Sequence, residues 1–163
     1  MTNLSGLTED AINRILPSAI RALNTVISMF GNEDGWELRS GGFFCLADAR
    51  TGLPWVIAQL GEISNEKVEK YLAFCQEKAR RLALHPEHTS SWQSRNPEDN
   101  QWGGAIRCGK YIYSFSGLPE LGDEALMMYA AAICDGLLYT SNLDTIALNS
   151  SNPYWFKLQE LRC

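Results

Sequence analysis

"FFCLADARTGLPWVIAQL", residues 43–60, holds the architecture of the chain. Two short runs rich in aromatic and aliphatic residues, 43–48 and 53–60, are separated by "ARTG", whose Gly52 supplies a turn residue, and the pattern predicts a β-hairpin. Pro54 removes a backbone donor near the start of the second run, which favours a strand end or a sheet edge there. A second hairpin is predicted in "GAIRCGKYIYSFSG", residues 104–117, turning tightly at Cys108-Gly109-Lys110. Between them runs a helix over roughly 65–84, opened by Ser64, with an apolar stripe of Val68, Leu72, Cys75, Ala79 and Leu82 that Tyr71 and Phe74 widen. Its Glu, Lys and Arg residues, Lys78 and Arg81 among them, read as a solvated face of mixed sign. Two hairpins separated by a helix do not build a parallel sheet; they build one antiparallel sheet flanked by helices, an α+β domain.

Outward from this centre, Thr8 is the expected cap of an N-terminal helix whose first turn holds Glu9 and Asp10. Its apolar face is Ile12, Ile15, Leu16, Ala19, Ile20, Leu23, Val26, Ile27 and Phe30, and Pro17 either kinks this helix or begins a second one. "WELRS" at 36–40 is either a further strand or a lead-in. Residues 85–104 form the longest loop, of a length that is often functional or mobile. Asp123 reads as the N-cap of a helix near 124–139, and Met127, Met128 and Tyr129 on it read as core. The tail, 140–163, has weak periodicity, with Tyr154, Trp155, Phe156 and Leu158 expected to dock on the domain. The whole chain, 1–163, reads as a single domain.

A length of 163 residues with 45% hydrophobic and 20% charged residues is that of an ordinary globular chain. A formal net charge of −5 offers no attraction to phosphate backbones or anionic lipid, so neither nucleic acid nor membrane is an expected partner. The longest apolar run, 125–139, is broken by Asp135 and Gly136 and is too short to span a bilayer. No export signal is read at the start, and the five cysteines are widely spaced without a C-x-x-C pair. Reduced thiols in a cytoplasmic protein, with no structural zinc, are the expectation.

The order of elements, with several residues in it, resembles the GlcG/HbpS family, whose domain also occurs at the C-terminus of PduO proteins. The shared parts are a strand ending in Asp48, a turn with Gly52 and a second strand; a helix carrying Lys78-Ala79; then Gly103-Gly104, a strand pair running to Ser116-Gly117, and the acidic pair Asp123-Glu124. The similarity is strongest over 43–135; residues 1–42, an N-terminal helix and loop, and the tail are less well covered. Ala105 stands where the family commonly has proline. The resemblance implies a profilin-like fold with a five-stranded antiparallel sheet between helices, assembly into homo-oligomers, and in some members haem binding; many members have no assigned activity.

"YSFSGLPELGDEA", 113–125, invites comparison with a catalytic elbow, but Ser116 lacks the flanking glycines that a strained nucleophile turn requires. A bend relieved by Gly117 and a helix capped by Asp123 explain the stretch better. The candidate ligand-binding residues are Trp102, Gly103, Gly104, Ser116, Gly117, Asp123, Glu124 and Asp48, with Trp102 as an apolar wall and the neighbouring backbone open to close approach. No catalytic or metal-binding residue is assigned. His85 and His88 flank Pro86 and read as exposed loop residues, and Cys108 beside Lys110 is the most accessible thiol. The reading that follows is a non-catalytic module for a small ligand, haem included. Its alternatives are a small enzyme working through Asp48, Glu124 or Cys108, and an assembly subunit that binds a protein through Trp-rich loops and the aromatic tail.

Overall fold

Alternation in the two hairpins sorts their side chains onto two faces, and the rest of the chain packs on one or the other. The computed structural model describes residues 9, 11–135 and 140–161. The first hairpin is β1 (Ser40–Asp48) and β2 (Pro54–Glu62); the second is β3 (Ala105–Cys108) and β4 (Tyr111–Ser116). They lie side by side in one antiparallel sheet of order β2-β1-β4-β3, with Phe43 opposite Ser116 and Asp48 opposite Tyr111 across the central seam. Pro54 opens the edge strand β2, where its missing N–H costs no ladder bond.

The five-stranded expectation is corrected: the described residues form four strands. "WELRS" is a lead-in because Trp36 is fully buried as an anchor and Leu38 adopts a left-handed φ of 60°, which interrupts any extended run before Ser40.

Phe44, Leu46, Ile106, Tyr113 and Phe115 face one way, and Phe43, Cys45, Ala47, Ala105 and Ile112 the other. The first face is covered by α1 (Leu16–Phe30), α3 (Glu120–Asp135) and the tail; the second by α2 (Val68–Ala83). Before α1 the chain makes a π-helical turn, Ala11–Ile15, so Pro17 falls in the first turn of a new helix, where its absent donor is harmless. Thr8 and Asp10 lie outside the described residues. Ile12 and Ile20 are exposed, so the apolar face of this segment is narrower than its sequence pattern.

Three further expectations change. Helix α3 starts at Glu120, ahead of Asp123, and residues 136–139 lie outside the described residues. The tail is helical, as α4 (Thr140–Ser150) and α5 (Pro153–Glu160), with Asn152 Oδ1 capping α5 by accepting the Tyr154 and Trp155 N–H groups. Trp155 and Leu158 are fully buried and Tyr154 half-buried, but Phe156 points outward. Ser64 precedes a single 3₁₀ turn, Asn65–Lys67, without a side-chain cap bond. Among the described residues no helix is long and apolar enough to cross a membrane.

Candidate functional site

Where β4 ends and turns through Gly117 into α3, the chain passes the N-terminal half of α2 and leaves a cavity of about 290 Å³. Its walls come from four segments: Arg39 before β1; Lys67, Lys70, Tyr71, Phe74 and Lys78 from the α2 region; Trp102 from the long loop; and Ser116, Gly117, Glu120 and Asp123 from the joint. The α2 residues recur at helical spacing and therefore share one stripe.

Its deepest part is an ion pair. Lys78 Nζ donates to Asp123 Oδ2 at 2.9 Å and to Phe115 O at 2.8 Å, while Asp123 Oδ1 accepts the Leu118 N–H at 2.8 Å. Lys78 and Asp123 are each only 2% exposed, so the solvated-face reading of Lys78 is overturned. The reason is geometric: Lys78 lies three residues after Cys75 and seven after Tyr71, on the buried stripe itself, and an aligned carboxylate compensates its charge. Burial pushes the Asp123 carboxyl up to about 6 against the opposing pull of Lys78, so near neutral pH it is ionised and paired. Gly104 makes room for this pair. Its φ is +120°, and a side-chain carbon there would stand 2.8 Å from both Lys78 Nζ and Asp123 Cβ.

Arg81 is likewise buried rather than solvated. Its guanidinium donates to Ser91 O at 2.8 Å, to Ser94 Oγ at 2.6 Å, to Trp102 O and to Glu77. Arg107 donates to Ala49 O, Leu82 O, His85 O and His88 O. The 85–104 loop is thus tied down by two arginines. A third, Arg95, forks onto Glu120 at 2.7 and 2.8 Å and lies over the rings of Trp92 and Trp102, fixing Trp102 as a wall. His85 and His88 are half-buried and stacked, with centroids 4.7 Å apart.

Of the sequence candidates, Trp102, Ser116, Gly117 and Asp123 line the cavity, and Gly103 and Gly104 border it. The Gly103 N–H is already taken by Glu120 Oε1 at 2.8 Å. Gly117 is required by β1, since a side-chain carbon there would meet Gly41 O at 2.2 Å. Asp48 and Glu124 are elsewhere. Asp48 sits at the opposite end of β1, about 17 Å along the strand from the level of Ser116. There its Oδ1 accepts the Arg50 and Thr51 N–H groups and the Thr51 hydroxyl, closing the hairpin turn. Slight burial raises that carboxyl, but the N–H groups of Thr51 and Arg50 outweigh it and hold it below its ordinary range. Glu124 points to the other side of α3, fully buried, accepting from the Ser150 hydroxyl and from Asn152 Nδ2. Its Oε2 has no partner among the described residues, and burial pushes its carboxyl up to about 7.

Asp123 is no helix cap in the expected sense, because α3 has already begun; its carboxylate reaches back to Leu118 instead. Of the residues of the enzyme alternative, Asp48 and Cys108 flank Tyr111 from the strands on either side, whereas Glu124 is held apart against Ser150 and Asn152. Among the described residues no group of three His, Cys, Asp or Glu side chains is placed to hold a metal ion. Of the side-chain types that hold haem iron, the cavity wall offers Tyr71 alone, and its volume is at the lower limit for small-ligand sites.

Sequence reasoning missed Arg39, Lys67, Lys70, Tyr71 and Phe74 as site residues. For those on α2 a signal existed: 67, 70, 71, 74 and 78 follow the i, i+3, i+4, i+7 rule. No family model, curated protein or solved structure matches the chain.

Proposed function

We propose that the chain is a non-catalytic binding module for a small organic ligand, of the GlcG-like type and with a profilin-like arrangement of sheet and helices. One observation carries this reading. The cavity beside the Ser116-Gly117 joint combines aromatic walls with a few polar groups held by one buried and one half-buried ion pair, which is the make-up of a small-ligand site. The GlcG resemblance supports it, since its Lys78, Gly104, Ser116 and Asp123 meet at this place. Self-association is part of the proposal: β3's outer edge is covered by the Ser90 bridge and the Arg107–Thr89 bond, whereas β2 is an edge strand with Trp55, Val56, Ile57 and Ala58 half-buried.

A protein-observed NMR screen with mixed neutral and charged fragments tests the reading. Binders are expected to shift the Trp102 indole and the Tyr71 and Phe74 rings together. Shifts confined to other regions, or none, overturn it. Sedimentation velocity checks the oligomer clause, and a monomer at high concentration removes it. A haem titration without a Soret shift removes haem as the ligand.

A further inference from the structure

In a chain of net charge −5, the cavity carries a surplus of positive charge. Arg39, Lys67, Lys70 and Lys78 line it, against Glu120 and Asp123. Both carboxylates are engaged, Glu120 by Arg95 and the Gly103 N–H, Asp123 by Lys78 and the Leu118 N–H. Lys78 is neutralised in the process. Arg39, Lys67 and Lys70 form no direct ion pair among the described residues, although Arg39 lies close enough to Asp123 to favour its ionised form.

Two groups stand ready for a ligand. Arg39 bonds only through Nη1, to Tyr71 Oη at 3.4 Å and Gly117 O at 3.3 Å, both long, leaving Nε and Nη2 without a protein partner among the described residues. Ser116 is 3% exposed, lies on the α2 face because Phe115 beside it faces the other way, and its hydroxyl has no partner among the described residues. That hydroxyl is not sealed from solvent, so at the cavity wall it is free to donate to a bound acceptor. Leu38 points the same way. It holds a left-handed φ of 60° while 99% exposed, strain that no packing repays. That bend turns the chain from the Trp36 anchor, whose O accepts the Arg39 N–H at 3.0 Å, and sets the guanidinium beside Gly117.

We propose that the cavity takes a small organic carboxylate, its head group on the Arg39 guanidinium and the Ser116 hydroxyl and its flat apolar body between Tyr71, Phe74 and Trp102. This rests on the ligand-binding reading above and names the ligand class. The planar fork of arginine matches a carboxylate in two parallel bonds. Phosphate is served less well, because phosphate sites draw on helix N-terminal N–H groups. Here Glu120 and Asp123 already bring negative charge to the first turn of α3, and Asp123 takes the Leu118 N–H. A volume of about 290 Å³ suits one or two rings. Lys67 and Lys70 at the rim draw the anion in.

Calorimetric titration at neutral pH with benzoate and benzamide, naphthoate and naphthamide, and phenyl phosphate tests this. At least one carboxylate is expected to bind about tenfold or more tightly than its own amide, an advantage that shrinks with added salt. Arg39→Gln is expected to erase most of that preference, and Ser116→Ala to reduce it several-fold, both with unchanged circular dichroism. Equal affinity for acid and amide overturns the carboxylate assignment and leaves the ligand-binding reading standing. So does tighter binding of phenyl phosphate than of benzoate, or a carboxylate preference that Arg39→Gln leaves intact. If no compound binds while neutral fragments still shift the Trp102 indole, this inference alone falls; if those fragments also fail, both do.

Discussion

Asp123 and Glu124 are neighbours in sequence and opposites in chemistry. Asp123 is turned toward α2, where Lys78 compensates it at the bottom of a cavity; Glu124 is turned toward the tail, where only a hydroxyl and an amide meet it. The same contrast divides the two faces of the sheet. The α1/α3 face is a continuous apolar core reaching from Ala11 to Leu158. The α2 face has a smaller apolar cluster and gives its remaining space to buried charge and the cavity. One face is a continuous core, and the other encloses a charged cavity.

Removing the cation breaks this division most sharply. Lys78→Met leaves Asp123 buried without its partner and is expected to lower unfolding free energy by about 3–5 kcal/mol in urea titration. Combining it with Asp123→Leu is expected to recover much of that loss, since an apolar pair needs no compensation. If the single variant is as stable as the parent, the ion pair does not hold the joint.

Next in size is the response to pH. Both carboxyls titrate higher in the folded chain than in the unfolded one, Asp123 at about 6 and Glu124 at about 7. Across the window from the unfolded values to these, the folded state binds more protons, so stability is greatest on the acid side and declines as pH rises. A Tm several degrees lower at pH 8 than at pH 5 is expected, with Glu124→Gln flattening the upper part of the slope. A slope that Glu124→Gln leaves unchanged assigns it to other groups.

The smallest effect is at Asp48. Asp48→Ala is expected to cost about 1 kcal/mol through loss of the turn bonds, measured by thermal melting. Ligand affinity should not change, because the residue is far from the cavity. An affinity loss would place Asp48 in the site after all.

The hairpins were legible because alternation and turn residues are local signals, and their pairing followed from the lack of any other partner for two ribbons and a helix. Other features depend on distant contacts. Pro119 and Gly122 look like loop residues, yet Gly122 lies in the first turn of α3 and Pro119 immediately precedes it. Gly122 is tolerated because its bare Cα admits the Trp36 ring, 2.6 Å from where a side-chain carbon would stand. Lys78 and Arg81 were misread because a hydrophobic count treats every cation as solvated, whatever waits across the interface. At the candidate site the joint and Trp102 were readable as composition, and the α2 stripe as period. Arg39 was not: its place depends on the bend at Leu38, which no neighbouring residue type announces. Asp48 misled for the opposite reason, since a strand ending in Asp is as good a turn as it is a site.

The central seam of the sheet has a kinetic consequence. Each hairpin closes on itself through contacts between residues close along the chain, but β1 and β4 meet only after α2 and the long loop have folded back between them. Non-local pairing of this kind carries the larger entropic barrier. The zipping together of the two ribbons at Phe43 and Ser116 is therefore expected to be the slow event in folding, which refolding kinetics would check. Substitutions along that seam will change the rate of refolding more than those at either turn.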